Sequence, residues 1–373
     1  MRLPNYEDLT EDQKVVIDLP LDESHLITGA PGSGKSVMAC YRSQMIANSG
    51  QPTMFLMYNK TLRMYTKDAL NQLGVDESVI EGWMGWFPRW FRSAFGQPPL
   101  TQGGRYNFHW PSCIETAASN PPPENLKSHV IFDEGQDMPN EFWMFIGNAT
   151  KSVSVFADEN QIINDANSTV EEILVTSGIR HRAHLETNFR NTPAINKVAG
   201  HFYVGDGSPP ARISGDTTDG DKPKLFSHRN RTETVDYLTK YENTNATRTI
   251  VLILLKKREV EYFYRKLSES DTRNEVQMYL SSTQLDFSEI NFVEPGIKIV
   301  TSASCKGLEF DTVVIPELQS FDRVIMDSEA EMFSRKMYVM CSRARSELIM
   351  IYSGNGTPEV VRHLPLGDMD DRR

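Results

Sequence analysis

Short apolar runs recur along the chain, and amphipathic stretches with helical spacing separate them. Leu26–Thr28, Thr53–Tyr58, His129–Phe132 and Lys151–Ala157 read as strands buried on both faces. Thr249–Leu255, Ile297–Thr301, Thr312–Ile315 and Glu347–Tyr352 repeat the pattern in the second half. Helices are expected over Val37–Asn48, Asn59–Gly74, Thr169–Ser177 and Arg258–Leu267, from Pro193 onward, and over Glu331–Cys341; Thr10 can N-cap a further short one. Strand and helix alternate through short connections, which implies an α/β fold of parallel strands joined by helical crossovers. Gly178 and the residues up to His184 read as a hinge, dividing the chain into domains 1–178 and 179–373. Gly205–Pro223 reads as an exposed loop. Glu347–Tyr352 is expected to close the second sheet, and the last residues, GDMDDRR, to be disordered.

The alternation breaks over residues 75–127, which read as a small insertion on the first domain. Trp83, Trp86, Trp90 and Trp110 lie there with Phe87, Phe91, Phe95, Tyr106 and Phe108. Pro88 fits the first turn of a helix that Gly96 ends. The rings form a compact core for the insertion, or one or two of them, with Trp83 and Trp86 as the candidates, stack on bases of a single strand while Arg89, Arg92 or Arg105 contact phosphates.

Candidate chemistry concentrates at strand ends. The strand Leu26–Thr28 runs into Gly29-Ala30-Pro31-Gly32-Ser33-Gly34-Lys35-Ser36-Val37, and a helix follows at once. This is GxxxxGKS in the strand–loop–helix context the motif requires. Its glycines let backbone amides wrap an anion at a helix N-terminus. Lys35 suits β- and γ-phosphates, and the Ser36 hydroxyl suits Mg²⁺. His129–Phe132 ends in Asp133-Glu134, where Asp133 can hold the same Mg²⁺ and Glu134 can polarise a water. Gln161, after the strand Lys151–Ala157, can sense a γ-phosphate as a neutral amide. Arg190 and Arg343 stand in short polar turns after apolar segments. They are surface ion pairs, or arginines supplied to a nucleotide in the cleft between two domains that share one phosphate loop.

Composition narrows the setting. The 373 residues suffice for two domains, and 39% hydrophobic with 24% charged residues describes a globular protein. The net charge of −11 means that a nucleic-acid groove must be a local basic patch on an acidic body. The longest strongly apolar run, about Ile250 to Leu255, is too short to cross a membrane, and the N-terminus lacks a secretory core. Cys40, Cys113, Cys305 and Cys341 have no CxxC spacing, as expected of reduced thiols in a cytoplasmic protein.

Taken in order, the motifs resemble those of superfamily 1 helicases of the UvrD-like kind, from Gln13 to Arg345. LTEDQ resembles the N-terminal glutamine motif, GAPGSGKS the Walker A segment, MYNKTL the strand-contact motif, VIFDEGQD the DEAQD and FADENQ the GDxxQ. TNFRN resembles NYR, SCKGLEFD resembles KGLEF and YVMCSRAR resembles YVAxTRA. The resemblance implies two RecA-like P-loop NTPase domains in tandem, with an ATP site at their interface. It implies that Gln13 reads adenine, Phe189 stacks on it, Gly307 and Glu309 lie near the ribose or phosphates, and Arg190 and Arg343 are arginine fingers. It further implies that Gln136 couples the nucleotide to the strand site, and that Asn59, Lys60 and Thr301 contact the strand.

The sequence departs from the family in several places. Ala157 replaces a glycine, Ile162-Ile163-Asn164 replace a stacking aromatic, and Ala303 replaces a histidine. The large accessory insertions are reduced or missing. The expectation is therefore a near-minimal ATP- and Mg²⁺-dependent motor on single-stranded DNA. The alternatives are an ATP-gated, non-motor subunit with a protein partner in a repair or anti-phage defence complex, and an RNA translocase.

Overall fold

The computed structural model describes residues 3–58, 60–104, 106–158, 168–204, 212–213, 219–280, 291–292, 294–326 and 330–373. It divides into two compact units, one built on Met1–Thr187 and the other on Asn188–Asp206 with Arg212–Arg373.

The first unit runs α1 (Glu11–Asp18), β1 (His25–Gly29), α2 (Lys35–Asn48), β2 (Thr53–Met57), α3 (Lys60–Gln72), β3 (Ile80–Gly82), α4 (Trp83–Phe95), α5 (Trp110–Ser119), β4 (His129–Asp133), α6 (Asn140–Ala149), β5 (Ser152–Ala157), α7 (Val170–Ser177) and β6 (His181–Leu185). Its six strands are all parallel in the order β3-β2-β4-β5-β1-β6. Side chains alternate between two apolar layers, as strand geometry requires. Ile27, Phe55, Met57, Ile131 and Phe156 face α1, α2 and α3. Leu26, Leu56, Val130, Phe132, Val153 and Val155 face α4, α5, α6 and α7.

That second layer corrects the expected insertion. Residues 75–127 are no appendage: α4 and α5 form part of one of the two helical layers on the sheet. The helix α4 also starts a turn earlier than Pro88 predicts, so Pro88 lies inside it. Trp83, Trp86, Phe87 and Phe91 are buried along one face, and that burial outweighs the hydrogen bond a mid-helix proline removes. Gly96 ends the helix as expected, at φ 74°.

The expected hinge at 178–184 is instead the start of edge strand β6. Its Leu185 is fully buried, and Thr28 Oγ1 lies 2.8 Å from His184 Nδ1. The units part nine residues later than the hinge placed them, between Thr187 and Asn188.

The second unit runs β7 (Thr187–Asn188), α8 (Pro193–His201), β8 (Arg212–Ile213), β9 (Lys224–His228), α9 (Arg231–Thr244), β10 (Thr249–Leu254), α10 (Lys257–Ser268), β11 (Gln277–Tyr279), β12 (Gly296–Thr301), β13 (Phe310–Ile315), α11 (Asp322–Met326), α12 (Ala330–Cys341), β14 (Ala344–Ser353) and β15 (Asp370–Arg372). Its sheet is also parallel, in the order β11-β12-β10-β13-β14-β9-β15. Two endings differ from expectation. The strand over 347–352 is interior, between β13 and β9. The last residues form edge strand β15 on β9, because Met369 is buried and Arg372 lies over the Phe226 ring at 5.8 Å. Arg372–Asp370 and Arg373–Asp371 ion pairs balance the charges of that edge.

Candidate nucleotide site

The loop between β1 and α2 depends on its glycines. Gly32 and Gly34 have φ of 82° and 92°, where a side chain is strained. A Cβ on Gly34 would meet Gln13 Nε2 at 2.7 Å, and one on Gly29 would meet Ser33 Oγ at 2.6 Å. Helix α2 begins at Lys35 with neither a side-chain cap nor an acidic residue in its first turn. Its first amides and its positive end therefore carry no anionic partner from the helix itself.

Around this helix end the structure gathers the predicted residues of the first unit. Lys35 Nζ donates to Gly29 O at 2.6 Å and Ala30 O at 3.1 Å, and pairs with Asp158 Oδ2 at 3.3 Å. Ser36 Oγ donates to Asp133 Oδ2 at 2.6 Å. Burial first, and then the adjacent Glu134, push the Asp133 carboxyl up to about 7, against the pull of Ser36 and Lys35. Glu134 sits in the left-handed region at φ 58°, a conformation costly for a glutamate outside a constrained site. Its carboxylate accepts from Gln136 Nε2 at 2.5 Å, while Gln136 Oε1 accepts from Asp158 N at 2.9 Å. Gln136 thus connects the glutamate to the acid that pairs with Lys35.

Gln13 is buried beside the loop: its Nε2 donates to Ser33 O at 3.1 Å and its Oε1 accepts from Thr10 N at 3.2 Å. The donor set fits a triphosphate with a divalent cation. Uncapped amides and Lys35 suit phosphate oxygens; Ser36 and Asp133 supply the hard oxygens Mg²⁺ prefers. Ser33 Oγ, buried with no hydrogen-bond partner among the described residues, lies in the same loop.

The second unit gathers the remaining motifs into one network. Arg190 Nε pairs with Glu309 Oε2 at 2.9 Å, and the other oxygen of Glu309 is held by Arg345. Burial opposes the Glu309 charge, yet the two guanidiniums carry its carboxyl down to about 2. Asn191 Nδ2 donates to Ser342 O at 3.2 Å and Ala344 O at 2.5 Å, tying the Arg190 segment to the Arg343 turn. Gly307 turns the chain before Glu309 at φ 78°. Phe189 is 40% exposed. Arg343 points into its own unit: 1% exposed, it donates to Val339 O at 2.9 Å and to Ser342 Oγ at 3.1 Å.

The proposed strand contacts fare differently. Trp83 and Trp86 are each 4% exposed, so burial corrects their assignment as base-stacking rings. Phe108, Trp110 and Phe142 pack around Trp83, and Trp90 stacks on Trp86. Thr301 ends β12, half-buried, with Oγ1 at 3.0 Å from Ser304 Oγ. Asn59 and Gln161 lie outside the described residues, as does the side chain of Lys60. Asp158 and Arg345 were missed as site residues. Each stands beside a motif residue, but only the fold reveals which charge each one meets.

Residues 256–355 match the model of the UvrD-like helicase C-terminal domain. This stretch holds SCKGLEFD and YVMCSRAR, and over it the chain is similar to the UvrD-like helicases, as those two motifs suggest. Among solved structures, the C-terminal domain of a possible DNA helicase from Lactobacillus plantarum is similar at 21% identity, over 50% of this chain and 99% of that one, with a TM-score of 0.36. No curated protein matches. Among the described residues, no helix is long and apolar enough to cross a membrane.

Proposed function

We propose that the chain is an ATPase motor of superfamily 1, built on two RecA-like domains, that acts on single-stranded nucleic acid, with DNA the favoured substrate. The observation that carries this reading is the convergence of Lys35, Ser36, Asp133 and Glu134 on one uncapped helix end, in a chain with a UvrD-like C-terminal domain. On this reading Gly29–Val37 and Lys35 hold the phosphates, Ser36 and Asp133 hold Mg²⁺, and Gln13 reads the base. Mg²⁺ supplies charge neutralisation on the phosphates when bound. Glu134 takes the proton of the attacking water, and Gln136 fixes the direction of its carboxylate. Gln161, Phe189, Gly307, Glu309, Arg190 and Arg343 keep the nucleotide roles that the resemblance implies, with Arg343 requiring a change of rotamer to leave its carbonyl partners.

Burial of Trp83 and Trp86 favours a second reading, an ATP-gated subunit that binds a protein partner and does not move along a strand. Steady-state ATP hydrolysis by the purified chain, with and without single-stranded DNA, single-stranded RNA or duplex, separates the readings. The motor reading expects stimulation by a single strand, and Glu134→Gln should bind ATP while losing turnover. Hydrolysis indifferent to every nucleic acid would sink the motor and leave the gated subunit.

A further inference from the structure

Arg42 is a fully buried charged side chain that this mechanism leaves unused. It lies on α2, fully buried, and burial pulls its guanidinium down to about 10, still charged at neutral pH. Among the described residues its hydrogen-bond partners are oxygens of the backbone and of one serine. Nη1 donates to Val16 O at 3.2 Å and Leu19 O at 3.1 Å, and Nη2 to Pro20 O at 3.0 Å. Nε donates to Ser154 Oγ on β5 at 3.2 Å.

The three carbonyls belong to the end of α1 and the turn after it. Helix α1 has only eight residues, a length at which isolated helices are marginal in water. It ends at an extended Leu19, with no left-handed glycine to satisfy its last carbonyls. Arg42 supplies that cap from another element. One turn earlier on the same helix stands Gln13, whose amide is fixed in one sense by Ser33 O and Thr10 N. The adjacent Tyr41 hydroxyl holds Pro4 O, and Asp12 Oδ2 accepts from Glu186 N at 2.8 Å. The segment from Leu3 to Pro20 is therefore a strap over the phosphate loop, fastened at its far end by Arg42.

We propose that Arg42 is a positioning residue for base selection: by capping α1 it holds the Gln13 amide in the orientation that distinguishes adenine from guanine. An amide offers one donor and one acceptor, which match the N7 acceptor and N6 donor of adenine, whereas guanine sets an O6 acceptor where adenine has its donor. The inference rests on the nucleotide reading of the first unit and adds the element that sets its specificity.

The test is steady-state hydrolysis of ATP and GTP by the full chain. Arg42→Met should raise KM for ATP about tenfold, the effect of losing one good polar contact. It should leave kcat within about twofold, because a base contact is made equally in ground and transition states. The preference for ATP over GTP should fall by the same factor. Gln13→Ala should do likewise, and the double variant should be no worse than Gln13→Ala alone. A lower Tm with KM and base preference unchanged would overturn the proposal, as would additive effects or a parent chain indifferent to the base. If Arg42→Met fails to fold, Arg42→Lys carries the same test, keeping the charge and losing the fork. A Lys35→Ala chain with ATP turnover equal to the parent's would sink the nucleotide reading itself, whatever Arg42 does.

Discussion

The carboxyl edges of the two sheets are built on one plan and end in opposite chemistry. With β11 set aside, the second sheet repeats the first strand for strand: β12-β10-β13-β14-β9-β15 answers β3-β2-β4-β5-β1-β6. The helix after the first strand opens on a cation in each, Lys35 on α2 and Arg231 on α9. A glutamate in the left-handed region follows the fourth strand in each, Glu134 at φ 58° and Glu317 at φ 60°. In the first unit the helix end stays uncapped, and Lys35 leans on loop carbonyls and Asp158. In the second, Arg231 places Nε and Nη2 on Glu317 Oε2 at 2.8 and 2.5 Å, and Ser353 Oγ reaches Oε1 at 3.1 Å. The Asn230 side chain caps Glu233 N, and Arg231 lies over the Tyr262 ring. Equal topology thus leaves the helix end of one edge without a side-chain cap and closes the other with the chain's own charges. A shared fold locates a site without deciding whether the site is open.

Exchanging the two cations for neutral side chains breaks the comparison most sharply. On the proposed reading, Lys35→Ala should lower ATP turnover on the order of a hundredfold or more, since it removes the cation proposed to face the transferred phosphate. Arg231→Met should leave the KM for ATP unchanged; a matching loss of activity would mean that the second edge also serves the nucleotide.

A stability measurement gives the next largest effect. Arg231→Met leaves the Glu317 carboxylate, 2% exposed, without its cation. Urea denaturation should show a loss of about 3 kcal/mol, as when a buried pair loses one partner. Adding Glu317→Gly should recover part of it, because glycine suits a φ of 60° and removes the stranded charge. No recovery would mean that the pair does more than neutralise itself.

The smallest effect belongs to the opposite, amino edge of the first sheet. His129 lies between Ser152 Oγ at 2.5 Å and Ser154 Oγ at 2.9 Å, and the charged and titratable neighbours acting on it are Arg42 and His25. Burial first, and then Arg42, hold its imidazole down to about 3. Below pH 6.5 the unfolded chain binds a proton that the folded chain refuses. That stability is therefore complete above pH 6.5 and falls as the pH drops toward 3. Between pH 6.5 and about 4.5 unfolding free energy should fall on the order of 2 kcal/mol, and His129→Gln should flatten that slope in urea titrations at the two pH values.

Legibility in the sequence followed the range of the interactions. GAPGSGKS, Asp133-Glu134 and the buried strands were readable because each depends on neighbours along the chain: a glycine's φ, a period of two, a helix start. The role of residues 75–127 was not, because α4 reads as an aromatic cluster until Phe132 and Phe142 are seen beneath it. For the same reason Trp83 and Trp86 looked available to a base. The last residues carry too little apolar character to announce a strand, and β15 exists because β9 offers an edge.

The sequence by itself determined two α/β halves, a phosphate-loop motif in only one of them, and an acid pair at a strand end. Tertiary structure alone decided which charges meet. Lys35 faces Asp158, Arg190 faces Glu309, and Arg231 closes on Glu317, each across a long separation in sequence. Helix and strand signals are local, whereas an ion pair or a cap such as Arg42 on α1 forms only where packing brings distant groups within hydrogen-bond reach.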